Sequence, residues 1–296
     1  MTPTTQFLDP PPEYARPEDS AVHIIPVPYD GTSTYRKGAD RGPQAMLDAS
    51  AQVEWFDIET RTEVHKLGIY TESPVLCKTS PEALAHMVRA RVAACLAAGR
   101  FPVVLGGEHS VSIGAIEAVA DQINDREAFS VLQIDAHGDT RESYMNSTHN
   151  HACVMARARE HASIAQVGIR AIDRSEWETM DHDAVVWAHE IAEARGPDDE
   201  QTWIDRVIAM LADHVYITVD LDAFDPAYLP ATGTPEPGGL DWRTVNKLIR
   251  RVCMDREVVG FDVVELCPHE AHHASDFFAA KLVHRMLSEV FANQAM

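Results

Sequence analysis

The sequence predicts an α/β protein of three layers, with helices on both faces of one mostly parallel central sheet. Three observations predict it. Short β-branched apolar runs alternate with longer amphipathic ones, the order expected of βα units on a parallel sheet. No linker, internal repeat or low-complexity tract breaks that alternation. The 296 residues lie slightly above the usual single-domain range, but α/β folds often keep more than about 250 residues on one core.

In chain order, residues 1–20 form a lead carrying Pro3, Pro10, Pro11, Pro12 and Pro17, and residues 21–296 are expected to form one domain. Strands are expected at 22–27, near 64–69, and at 102–105, 130–134, 164–167, 184–187, 215–219 and 258–264, where β-branched residues cluster. Helical periodicity appears over 81–98, 110–124, 199–212, 242–254 and 275–291.

Composition narrows the function. With 45% hydrophobic and 24% charged residues, the chain has an ordinary globular balance, which excludes a disordered or fibrous protein. The net charge of −21 repels phosphate backbones and anionic lipid, so neither nucleic acid nor membrane is an expected partner, whereas a cation is attracted. Acidity of this kind also serves solubility, so it permits a cationic substrate without requiring one. Cys77, Cys95, Cys153, Cys253 and Cys267 are odd in number and form no Cys-x-x-Cys pair, which suits a reducing cytoplasm. The lead lacks the basic start and apolar run of a signal peptide, and no run of about 18 apolar residues marks a membrane span.

The unusual polar residues fall at the carboxyl ends of expected strands. Gly106-Gly107-Glu108-His109 follows 102–105, Asp135-Ala136-His137-Gly138-Asp139 follows 130–134, Asp220-Leu221-Asp222 follows 215–219, and Glu265 follows 258–264. In an open α/β sheet those ends share one edge, where ligands bind, so groups distant in sequence are expected to converge. Alternate residues of Asp135 to Asp139 face one way if the chain stays extended, and Asp220 and Asp222 repeat the two-residue step. Two histidines and four aspartates offer nitrogen and hard oxygen donors with no thiolate, a set better suited to manganese or a similar ion than to structural zinc. Six donors exceed the needs of one ion and match a two-metal site. A lone Asp-x-His-x-Asp is more often a solvated turn, and Gly106-Gly107 alone only a tight turn. Together, after successive core strands, they would leave several carboxylates buried without a counter-charge, at a cost of several kcal/mol each.

These motifs, with Ser110, the run Thr218 to Pro226, Thr232-Gly233-Thr234-Pro235, Asp262 to Glu265, Pro28-Tyr29-Asp30-Gly31-Thr32 and Arg41 to Ala45, resemble those of the ureohydrolase (arginase and agmatinase) family from about Ile25 to the C-terminal helix. The resemblance implies two manganese ions per subunit, one held by His109, Asp135, Asp139 and Asp220, the other by Asp135, His137, Asp220 and Asp222. It also implies attack on a guanidinium carbon with Asp139 moving the proton, Glu265 binding the guanidinium, His151 shuttling protons, Thr234 lining the substrate pocket, and a trimeric or hexameric homo-oligomer.

Within the family, arginases carry Asn two residues before the shuttle histidine, where His149 stands here, and the run Gly168 to Asp173 does not keep the arginase turn. The segments around His151 and Pro28 to Thr32 resemble agmatinases. Agmatine, giving putrescine and urea, is therefore the expected substrate, with guanidinobutyrate, guanidinopropionate, guanidine and arginine as alternatives. A catalytically silent polyamine-binding protein and a metal-dependent deacetylase are readings from other classes. Both fit less well with a full set of six ligands in the Asp-x-His-x-Asp and Asp-x-Asp pattern.

Overall fold

The computed structural model describes residues 5–194 and 196–292. Its strands are β1 (Val22–Val27), β2 (Ile69–Thr71), β3 (Phe101–Gly106), β4 (Phe129–Ile134), β5 (Ser163–Ile169), β6 (Val185–Trp187), β7 (His214–Asp220) and β8 (Glu257–Val264). They form one sheet in the order β2-β1-β3-β8-β7-β4-β5-β6, with every pairing parallel. The helices are α1 (Gly42–Ser50), α2 (Pro81–Ala97), α3 (Val111–Ile123), α4 (Val154–Ala158), α5 (Arg174–Trp177), α6 (Ala188–Glu193), α7 (Pro197–Met210), α8 (Trp242–Asp255) and α9 (His273–Val290).

Two cores follow from the pleat, because successive strand residues point to opposite faces. Val22, Ile24, Val103, Leu105, Leu132 and Ile134 pack with α1, α7, α8 and α9. Ile25, Val27, Val104 and Val131 pack with α2, α3 and α4 on the other side. A sheet covered on both faces has little use for polar positions, which is why its strands read as apolar runs. The lead is joined to this core: Phe7 and Leu8 are buried, and their N–H groups donate to Thr71 Oγ1 and Ser50 Oγ.

The expected strand near 64–69 is corrected. Val64–Leu67 form a 3₁₀ turn ending at Gly68, whose φ of 81° turns the chain into the short β2. β-branched and apolar content alone does not separate a buried turn from a strand, and glycine at a positive φ ends the turn here. Ala184 likewise closes a 3₁₀ turn rather than opening β6. Helix α1 has no counterpart among the expected elements; it opens on Gly42-Pro43, residues that locally signal a turn, yet Pro43 at the second helical position is compatible with a helix start. Among the described residues no helix is long and apolar enough to cross a membrane.

The chain crosses from β3 to β4 over the gap later filled by β8 and β7. The middle of the sheet is thus β3-β8-β7-β4, and the loops leaving these four neighbouring strands carry every motif singled out at the expected strand ends.

Candidate metal centre

His109 follows β3, Asp135, His137 and Asp139 follow β4, Asp220 ends β7 and Asp222 lies two residues on. His109 Nδ1 lies 3.1 Å from Asp135 Oδ2, 3.0 Å from Asp139 Oδ2 and 3.4 Å from Asp220 Oδ2. His137 Nδ1 lies 2.9 Å from Asp222 Oδ2 and 3.7 Å from Asp135 Oδ1. Two groups of donor atoms therefore gather, His109 with Asp135 and Asp139, and His137 with Asp135 and Asp222, with Asp135 common to both.

The local chain explains the placement. His137 continues the β4 pairing through a parallel bridge to Ala171, so Asp135 and His137 do share a face as an extended chain requires. At Asp139 the extension stops: φ is 51°, and its carbonyl accepts from Met155 N at the start of α4. Asp220 and Asp222 differ from the expected extended step. Leu221–Ala223 form a 3₁₀ turn, and Asp220 Oδ1 accepts from Asp222 N at 2.8 Å, so a side-chain cap rather than the pleat sets their relation. Arg170 fastens this turn from outside, its guanidinium donating to the carbonyls of Asp222, Ala223 and Glu236.

The donor set fits a divalent cation on a specific observation. Thr218 Oγ1 donates to Asp262 Oδ1 at 2.6 Å and therefore accepts from His109 Nε2 at 2.9 Å. That leaves Nδ1 as a lone pair, buried without a hydrogen-bond partner, among three carboxylate oxygens. Electron-rich atoms converging on one point are repulsive unless a cation lies between them.

Burial also separates the acids. It pushes Asp220, with Asp222 and Asp135 beside it, and Glu265, with Glu108 beside it, well above the usual carboxylate range. Asp139 is pushed up to about 6, again chiefly by burial. For Asp135 burial is outweighed by the neighbouring imidazoles of His109 and His137, which hold it low. His109 and His137 rise despite burial because carboxylates surround them. Divergent acidities in one cleft are the electrostatic mark of a functional site.

A cavity of about 360 Å³ opens onto the cluster and is lined by His109, His137, Asp139, Asp220 and Asp222 together with His151, Thr234 and Glu265. All the residues expected at the site are thus brought together, Asp135 being fully buried beneath the lining. Glu265, at φ 65°, accepts from His109 N at 2.7 Å through Oε1. Thr234 Oγ1 lies 3.4 Å from Asp222 Oδ2. His151 is pushed down to about 4, chiefly by burial. Sequence reasoning missed Thr34, Arg141, Tyr144, Asp173, Glu176 and Glu236, which also line the cavity. Two of these had a signal: Glu236 directly follows the run Thr232 to Pro235, and Asp173 ends the run that begins at Gly168.

A parallel sheet whose central edge holds two linked histidine–carboxylate sets defines the class: an α/β protein with a candidate two-metal centre. The sequence profile of the arginase family matches residues 20–288. The chain is 39% identical to the N(1)-aminopropylagmatine ureohydrolase of Synechocystis sp., over 91% of this chain and 89% of that one. It is 36% identical to the enzyme of the same name from Thermus thermophilus, over 91% and 90%. The solved structure of the agmatine ureohydrolase of Thermoplasma volcanium superposes with a TM-score of 0.83 at 31% identity, covering 93% of this chain and 91% of that one. The chain belongs to the arginase family.

Proposed function

We propose that residues 21–296 act as one manganese-dependent ureohydrolase domain that cleaves a linear guanidine with a cationic amine tail into urea and the amine. The observation that carries the reading is the pair of histidine–carboxylate sets sharing Asp135 and opening into the cavity that Glu265 lines. The donors, imidazole nitrogen and carboxylate oxygen, favour manganese over a thiolate-seeking ion.

Two divalent cations held by His109, Asp135, His137, Asp139, Asp220 and Asp222 supply, when bound, water activated at neutral pH. Glu265 receives the planar guanidinium, for which a carboxylate offers two acceptors, and its bond from His109 N fixes its orientation. Asp139 takes the proton released as the guanidinium carbon is attacked and returns it to the leaving amine. His151 moves protons between the cavity and solvent, and Thr234 borders the bound guanidine.

The lining supports a cationic tail. Beyond the proposed ligands and Glu265, the lining keeps three acids, Asp173, Glu176 and Glu236, and Arg141 is the one Lys or Arg among the described lining residues. Arg141 is already engaged, with Nε 3.2 Å from Glu176 Oε2 and its guanidinium 4.6 Å from the Tyr144 ring centre. An α-carboxylate such as that of arginine meets repulsion there, and a second ammonium meets acceptors. The named activities of the similar proteins extend the expected agmatine to the longer N(1)-aminopropylagmatine, and both belong to the proposed class. A homo-oligomer of three or six chains, read by light scattering, completes the proposal.

The test is urea release from agmatine, N(1)-aminopropylagmatine, arginine, 4-guanidinobutyrate and guanidine by manganese-loaded protein. The amine-tailed pair should lead in kcat/KM. Arginine leading would overturn the tail assignment, and no urea from any of them would overturn the ureohydrolase reading.

A further inference from the structure

Thr32, held by Glu108, touches His151, and neither Thr32 nor Glu108 is a metal ligand in the proposed site. The loop after β1 reaches them by an unusually close approach to the loop after β3. Gly107 N donates to Val27 O and Glu108 N to Tyr29 O, each at 2.9 Å. A Cβ on Gly107 would lie 1.9 Å from Tyr29 O, and one on Gly31 2.1 Å from the Tyr29 hydroxyl oxygen. Only glycine allows this contact at Gly107, where backbone is the obstacle. Thr32 is thereby pinned against the residue that precedes His109.

The hydrogen bonds at Thr32 can be assigned from the donors available. Glu108 is fully buried and receives Thr32 N at 2.8 Å, the Ser110 hydroxyl and, at 2.7 and 2.8 Å, Thr32 Oγ1. Burial raises the Glu108 pKa, and the Ser110 and Thr32 hydroxyls and Thr32 N oppose that by donating to its oxygens; as a carboxylate it only accepts, so the single hydroxyl proton of Thr32 goes to Glu108. Thr32 Oγ1 lies 2.9 Å from His151 Nδ1 and also takes His151 N at 3.2 Å. With its own proton committed, it must accept from Nδ1–H, which leaves Nε2 as the lone pair. The Tyr144 ring, edge-on with its centre 5.9 Å from that of the imidazole, packs against the same imidazole.

We propose that Thr32, backed by Glu108, is a positioning residue that sets the tautomer and orientation of His151, so that Nε2 is the nitrogen available to move protons in the cavity. This rests on the reading of His151 as the proton-moving group. It also gives a role to the motif Pro28 to Thr32 and to the Glu of Gly106-Gly107-Glu108-His109, which metal binding leaves unexplained.

The test compares Thr32→Val, Thr32→Ser and His151→Asn, alone and combined, on manganese-loaded protein, with metal content and circular dichroism measured on each. Thr32→Val should lower kcat by about 10²-fold, the scale of misplacing a reacting group by roughly 1 Å, with KM within about threefold and metal retained. Thr32→Ser, which keeps the hydroxyl, should recover most of that turnover. In the His151→Asn background Thr32→Val should cause no further loss, because two changes acting through one group are not additive. Should valine disturb the loop, the smaller Thr32→Ala provides the same comparison. Full turnover by Thr32→Val, failure of Thr32→Ser to recover it, or an equal loss in the His151→Asn background would overturn the proposal while the wild type still releases urea. Absence of urea from the wild type would overturn both this and the functional reading.

Discussion

Replacing Asp135 by Asn tests the shared ligand most directly. The side chain is fully buried, with Oδ1 accepting from His137 N at 2.6 Å and Oδ2 from Gln133 Nε2 at 2.7 Å. An amide offers one acceptor where the carboxylate has two, so Asn leaves one of those donors facing an NH₂ group. The unmet donor costs about 1–3 kcal/mol, within the roughly 5–15 kcal/mol that holds a domain folded, so the variant should remain folded. At the centre the loss is larger, because Asp135 supplies an oxygen to both groups of donor atoms found among the described residues. Losing even about 4 kcal/mol of stabilisation there corresponds to roughly a 10³-fold fall in kcat. Manganese per chain would be measured by elemental analysis after gel filtration, with urea release followed in parallel. Thermal melts with and without manganese add a third readout, since an ion bound only by the folded state raises Tm. The wild type should gain stability with manganese and the variant little. Two ions and full turnover in Asp135→Asn, or full turnover by wild type stripped of metal, would refute the shared-ligand reasoning.

His151→Asn should keep both ions and lose turnover by roughly 10²–10⁴-fold; loss of manganese from this variant would mean the histidine is a ligand instead. Glu236→Gln should raise KM for amine-tailed guanidines by roughly tenfold, the scale of one charge-assisted hydrogen bond, and leave butylguanidine unaffected; equal effects on both would remove Glu236 from tail recognition. His284, which lies 3.1 Å from both Lys281 Nζ and the Trp55 carbonyl, is pushed down to about 4 by burial and then by Lys281. The unfolded chain takes up that proton near pH 6.5 and the folded one only near 4, so stability present above about 6.5 is lost as pH falls toward 4. At about pH 5 the loss is about 2 kcal/mol. Melts at about pH 7.5 and 5 should show His284→Gln less acid-sensitive than wild type by that amount, and equal sensitivity would contradict the assignment.

The sequence by itself determined which polar residues stand at each strand end. A parallel sheet places all strand carboxyl ends on one edge, so the donors at His109, Asp135, His137, Asp139, Asp220 and Asp222 could be located from local pattern alone, as could Glu265. Residue type and spacing are local properties, and they carry this much. What only the tertiary structure decided is which loops adjoin. The strand order that makes β3, β8, β7 and β4 neighbours depends on pairings between segments distant in the chain, such as Val103 with Phe261 and Phe129 with His214. So do the contact of Thr32 with His151 and the hold of Arg170 on the Glu236 loop. The left-handed backbone at Asp139 and Glu265 is likewise unreadable from a period-two pattern, since it accompanies bonds to α4 and to the loop after β3. Val64–Leu67 failed as a strand for the complementary reason: apolar content records burial, and burial alone does not distinguish a 3₁₀ turn beneath a loop from an edge strand.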